Sequence, residues 1–119
     1  MEQKFLFIFM VLWISFPSLA VSLVGENIYK SKCMVCHGAD GNGEPSMKKA
    51  LFPPPPTFSG IYNKYPSGED VKRQIVKILR EGRLVEGKKS SAMSNFPELS
   101  EEEKVKVAQY IIDKFNKFK

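Results

Sequence analysis

Cys33-Met34-Val35-Cys36-His37 decides how the rest of this chain is read. Two thiols two residues apart, with a histidine directly after them, form the pattern of c-type haem attachment. The reason is reach. Within one turn of chain the two sulphurs can bond the two vinyl groups on one haem edge, and the adjacent imidazole then lies under the iron as proximal ligand. The residues therefore predict one covalent haem c, attached at Cys33 and Cys36, with His37 on the metal.

Other uses of the same residues fit less well. Structural zinc takes four Cys or His ligands as a rule, and the chain holds only two cysteines and one histidine. A thioredoxin-like redox pair needs a strand-rich α/β setting. A disulfide across so small a loop adds little, because its entropic value grows with loop length.

A single histidine also excludes bis-histidine ligation from within the chain. The sixth position is left to methionine, another donor such as lysine, water, or nothing. Met34 lies inside the attachment loop and cannot reach the far face. Met47 follows a flexible loop and is not excluded by length. Met93, in Ser91-Ala92-Met93-Ser94-Asn95-Phe96-Pro97, lies far along the chain in a connection able to wrap the opposite face. Met93 is the preferred ligand on the donors known for such irons.

Outward from the motif, three segments read as helices. The first runs from about Val24 to Cys33. The second starts after Ser67-Gly68, carries Glu69 and Asp70 at the positive end of its dipole, and ends at Gly82. Val71, Ile75, Ile78 and Leu79 share one of its faces. The third opens on Ser100 with Glu103 three residues on, a capping box, and Val105, Ala108, Ile111, Ile112, Phe115 and Phe118 are its expected inner face. No segment alternates with period two, so the fold class is all-α. Long connections, including Pro53-Pro54-Pro55-Pro56, leave a thin core for three helices. Something else must fill the centre.

The N-terminus has a different character. Phe5 to Ile14 is an unbroken apolar run behind Lys4, followed by Pro17 and then Ser18-Leu19-Ala20. This is the order of a secretory signal peptide, with cleavage expected after Ala20, or else after Ser22. A retained anchor is the alternative, but the run falls short of the roughly 20 residues a span needs. Residues 1–20 are thus a signal segment, residues 21–119 one domain, and the domain lies outside the cytoplasm, periplasmic or otherwise exported. It is membrane-tethered if the segment is kept.

The chain carries 18 Lys and Arg against 13 Asp and Glu, a net charge of +5. The lysines are scattered and not interleaved with aromatics, which argues against nucleic acid.

From about Gly25 to the C-terminus the sequence resembles the class I monohaem cytochrome c family. Gly25 and Tyr29 are similar to the family's N-terminal helix, whose glycine lets the C-terminal helix approach. Tyr110 with Ile111 resembles the aromatic position on that partner helix. Met93 to Ser100 resembles the methionine loop, with Ser94 where relatives often carry proline. The resemblance implies a cytochrome c fold wrapped around one haem, and a proline carbonyl, from Pro55 or Pro56, accepting from His37. Phe58, Tyr62, Ile75, Leu79, Leu84 and Phe96 are candidates for the haem pocket.

With His37 and Met93 both on iron no position is open, so the expectation is a single-electron carrier and not an enzyme. Redox proteins meeting it transiently, on acidic surfaces, are the expected partners, with Lys48, Lys49, Lys88 and Lys89 orienting them. Two alternatives are a haem protein with an open sixth site and a fixed subunit of a membrane oxidoreductase.

Overall fold

The computed structural model of the chain describes residues 17–85, 87–89 and 92–115. Helix α1 covers Pro17–Ile28, with Pro17 at its first position, where the missing N–H costs nothing. It does not stop at Cys33. A π-helical segment, Tyr29–Cys33, follows without a break, and α2, Met34–His37, completes the rod. Ser31 supports the change of ladder. Its hydroxyl donates to the carbonyls of Asn27 at 2.8 Å and Ile28 at 3.2 Å.

Helix α5, Gly68–Glu81, has the expected bounds. The Ser67 side chain accepts from the Asp70 N–H at 3.2 Å, and Gly82 ends the helix at φ 83°. Val71, Ile75, Val76 and Leu79 are buried, each contributing about 2 kcal/mol of transfer free energy. Helix α6, Glu101–Phe115, begins with the predicted capping box. Glu103 N–H donates to Ser100 Oγ at 3.1 Å, and Ser100 N–H to Glu103 Oε1 at 3.1 Å.

The long connections hold more structure than their sequence announces. Helices α3, Pro45–Ala50, and α4, Phe58–Tyr62, interrupt them. Thr57 caps α4 by accepting from the Gly60 N–H at 3.2 Å. Between α5 and α6, β1 (Leu84–Val85) pairs antiparallel with β2 (Lys88–Lys89), Leu84 opposite Lys89. This two-residue ladder is the only strand pairing among the described residues, and the all-α class holds.

The rod from α1 and α6 cross at Gly25. A Cβ there would lie 2.5 Å from the Lys106 carbonyl oxygen and 2.7 Å from Tyr110 Cβ, so only glycine permits the approach. One turn on, the Tyr29 ring lies 5.7 Å from that of Tyr110 and 5.3 Å from that of Phe115. Val107, Ala108, Ile111, Ile112 and Phe115 close the core from α6.

One expected core position changes. Val105 is 44% exposed, while Lys104, beside it, is 6% exposed. Counting back from Val107 and Ala108 by three and four residues reaches 104, not 105. The Lys104 stem covers apolar surface and its ammonium pairs with Glu101 at 3.2 Å. Phe118 lies outside the described residues. So do residues 1–16 of the expected signal segment, whose last residues, Pro17–Ala20, begin α1. No helix among the described residues is long and apolar enough to cross a membrane.

Candidate functional site

The rod ends where the chemistry begins. After His37 the backbone reverses, and three bonds fix the reversal. Gly38 N–H donates to Met34 O at 2.8 Å, Gly43 N–H to His37 O at 2.8 Å, and Glu44 N–H to Cys36 O at 2.9 Å. Tyr29 Oη adds a fourth, donating to Gly38 O at 2.6 Å in the buried interior. Burial pushes this phenol above its ordinary range, so it stays a donor.

Behind the turn, Phe58 stacks on the His37 imidazole with ring centres 4.8 Å apart, and on Phe115 at 5.2 Å. Gly41 permits this layering. Its φ is 74°, and a Cβ there would fall 2.7 Å from Phe58 and 2.9 Å from Phe115. Phe58 N–H donates to Gly41 O at 3.0 Å, so loop and ring are fixed together.

In front of the turn lies a cavity of about 360 Å³. Cys33, Cys36 and His37 line it from the rod, Ile75, Ile78 and Leu79 from α5, and Met93 and Phe96 from the loop before α6. That loop is fastened to the end of α5. Arg83 N–H donates to Met93 O at 3.0 Å, and Phe96 N–H to Leu79 O at 2.8 Å. The structure thus brings together all four residues singled out in the sequence. Met34 and Met47 do not line the cavity.

Burial sets the protonation states. It pushes the His37 imidazole down to about 4, helped by the Arg83 charge, leaving it neutral with a free lone pair at ordinary pH. Burial pushes the Cys33 thiol up to about 11, against the pull of Lys32. Both cysteines are free thiols, so there is no disulfide between them. Among the described residues no three His, Cys, Asp or Glu side chains gather as a metal cluster.

Two sequence expectations are revised. His37 Nδ1 is buried with no hydrogen-bond partner, so neither Pro55 nor Pro56 accepts from it. Stacking on Phe58 holds the ring, and the Pro55 carbonyl instead faces Gly43. Tyr62 belongs to the core, not the cavity. It is buried and donates to Ile111 O at 3.1 Å, while Phe58, Ile75, Leu79, Leu84 and Phe96 do line the cavity. Lys48 and Lys49 stand outside the lining, the side chains of Lys88 and Lys89 lie outside what is described, and Lys32, Lys64, Lys77 and Arg83 line the cavity. Ile78 was marked by its helical spacing, but Lys64 and Lys77 carry no local signal that separates them from other surface lysines.

The arrangement fits a haem. A neutral imidazole with an orphaned nitrogen, two thiols and a thioether share an apolar-walled cavity that the side chains do not fill. No curated protein and no solved structure gave a match. The family described as cytochrome c oxidase, cbb3-type, subunit III matches residues 23–111. The span takes in the attachment motif, the cavity walls and most of α6, and the chain belongs to that family as a c-type cytochrome that transfers electrons through haem c.

Proposed function

We propose that this chain is an exported electron carrier with one haem c, bonded through Cys33 and Cys36 and ligated by His37 and Met93, and that it catalyses no reaction at the iron. The observation that carries this is the convergence of those four side chains on one cavity. The bound haem would supply a one-electron couple. His37 offers a neutral imidazole because burial holds it deprotonated. The Met93 loop is fastened to Leu79 in α5 and to Arg83 just beyond it by two backbone bonds, and this restrains a thioether whose ligation raises the potential. Ile75, Ile78, Leu79 and Phe96 keep the surroundings apolar and disfavour the extra charge of the oxidised state.

Export rests on the apolar run Phe5–Ile14 and the small residues that follow it. The family's description, an oxidase subunit, supports a second reading, in which this chain is held by a membrane oxidoreductase. Co-purification with such a complex under mild detergent separates it from a free carrier.

The deciding experiment takes the protein matured with its haem and measures intact mass and visible spectra, oxidised, reduced, and reduced under carbon monoxide. The proposal expects one haem added to the mass, a c-type reduced spectrum and no carbon monoxide shift. Carbon monoxide binding would mean an open iron. A mass without haem would end the reading.

A further inference from the structure

Helix α3 ends at Ala50, and the chain becomes extended at Leu51, at φ −106° and ψ 142°. Leu51 and Pro53 both turn into the lining of the haem cavity. Phe52, between them, does not, and it is 90% exposed, more than any other large apolar residue among those described. Pro53-Pro54-Pro55-Pro56 hold the following chain extended and remove its donors, so the segment cannot fold back to cover the ring. The outcome is an aromatic group left in water between two residues that line the cavity.

The charge around that opening has one sign. Lys32, Lys64, Lys77 and Arg83 line the cavity against a single carboxylate, Glu81. Lys32 is engaged by Glu98 at 3.1 Å. Lys64 and Lys77 are exposed and form no ion pair among the described residues. Lys49, three residues before Phe52, is likewise exposed and forms no ion pair among the described residues. An exposed aromatic ring next in sequence to a cavity lined by unpaired cations is complementary to a surface that carries both acidic and apolar groups.

We infer that Phe52 is the apolar anchor by which this cytochrome docks an acidic redox protein, with Lys64 and Lys77 steering the approach. The occupant is a redox protein and not a lipid surface, because both cations line the cavity that holds His37 and Met93, where an electron must leave, and the anchor lies between two of its lining residues. A partner seated on Phe52 is seated over that exit. The inference rests on the electron-carrier reading above.

The test uses the haem-loaded protein on two gold electrodes, one coated with a carboxylate-terminated monolayer and one with mixed carboxylate and methyl termini. Phe52→Ser is expected to lower adsorption and electron-transfer rate about tenfold on the mixed surface, and to change neither on the all-carboxylate surface. Lys64→Glu with Lys77→Glu is expected to weaken both and to flatten their salt dependence. Phe52→Ser behaving as the unmutated protein on the mixed surface would overturn the proposal. So would a blue shift of Phe52→Trp fluorescence on vesicles rich in phosphatidylglycerol, since that marks a lipid contact. A protein with no c-type spectrum fails the electron-carrier reading itself, whereas a normal spectrum with an indifferent Phe52→Ser fails only the docking.

Discussion

Tyr29 and Gly38 are joined across nine residues by a 2.6 Å hydrogen bond from the phenol to the backbone carbonyl. The bond links the aromatic cluster between α1 and α6 to the turn that aims His37. Tyr29→Phe removes the shorter of two bonds to that buried carbonyl, leaving it only the Gly41 N–H at 3.4 Å, and the expected loss is about 1 kcal/mol. Guanidinium unfolding followed by circular dichroism measures it. The reduced spectrum should be kept, because the ring still packs on Tyr110 and Phe115.

Gly25 sets the distance between the rod and α6. Gly25→Ala places a methyl 2.5 Å from the Lys106 carbonyl oxygen, and the helices must part at a cost of about 2 kcal/mol. Gly68→Ala is the control. Its nearest neighbour would be Ile112, at 3.8 Å, so helix propensity should leave that variant unchanged or slightly more stable.

Met93 lines the cavity and Met47 does not. Met93→Ala should abolish the sulphur–iron charge-transfer band of the oxidised protein and open the reduced iron to carbon monoxide. Met47→Ala should do neither. Absorption spectra of the two variants, side by side, decide which methionine ligates.

Glu101 joins α5 to α6. It accepts from Arg80 Nη2 at 2.6 Å and from Lys104 Nζ at 3.2 Å. These bonds, Arg80 first, hold its carboxyl down to about 2, against an ordinary 4.5. A lowered native value means the contribution is complete above pH 4.5 and is lost as pH falls towards 2. Glu101→Gln should therefore be less stable than the unmutated protein at neutral pH and converge with it in acid. The pair is exposed, so high salt should shrink the difference. Melting curves over that pH range are the check.

Much of this was legible in the chain because strong local signals agree with the tertiary structure. Ser100 with Glu103, Ser67 and Gly82 fix helix ends through their own bonds, and the five-residue attachment motif names its chemistry outright. Legibility failed where three-dimensional packing makes the choice. Val105 is apolar yet faces water, since the face of α6 is set by Val107 and Ala108 and passes through Lys104. Tyr62 has the composition of a pocket residue, but its hydroxyl finds Ile111 O. Helices α3 and α4 are too short for periodicity to reveal, and their caps are ordinary loop residues until the chain has folded.

The π-helical turn Tyr29–Cys33 turns the count of residues into a functional quantity. A regular α-helix advances about 100° per residue, and a π segment takes up one extra residue within its turn. Tyr29 can therefore face the crossing with α6 while Cys33 and His37 face the cavity. Removing Ser31 would restore an ordinary helix and swing the whole motif round the axis, with Cys33, Cys36 and His37 intact and none of them aimed at the cavity. The site is specified by how many residues precede it as much as by which ones they are.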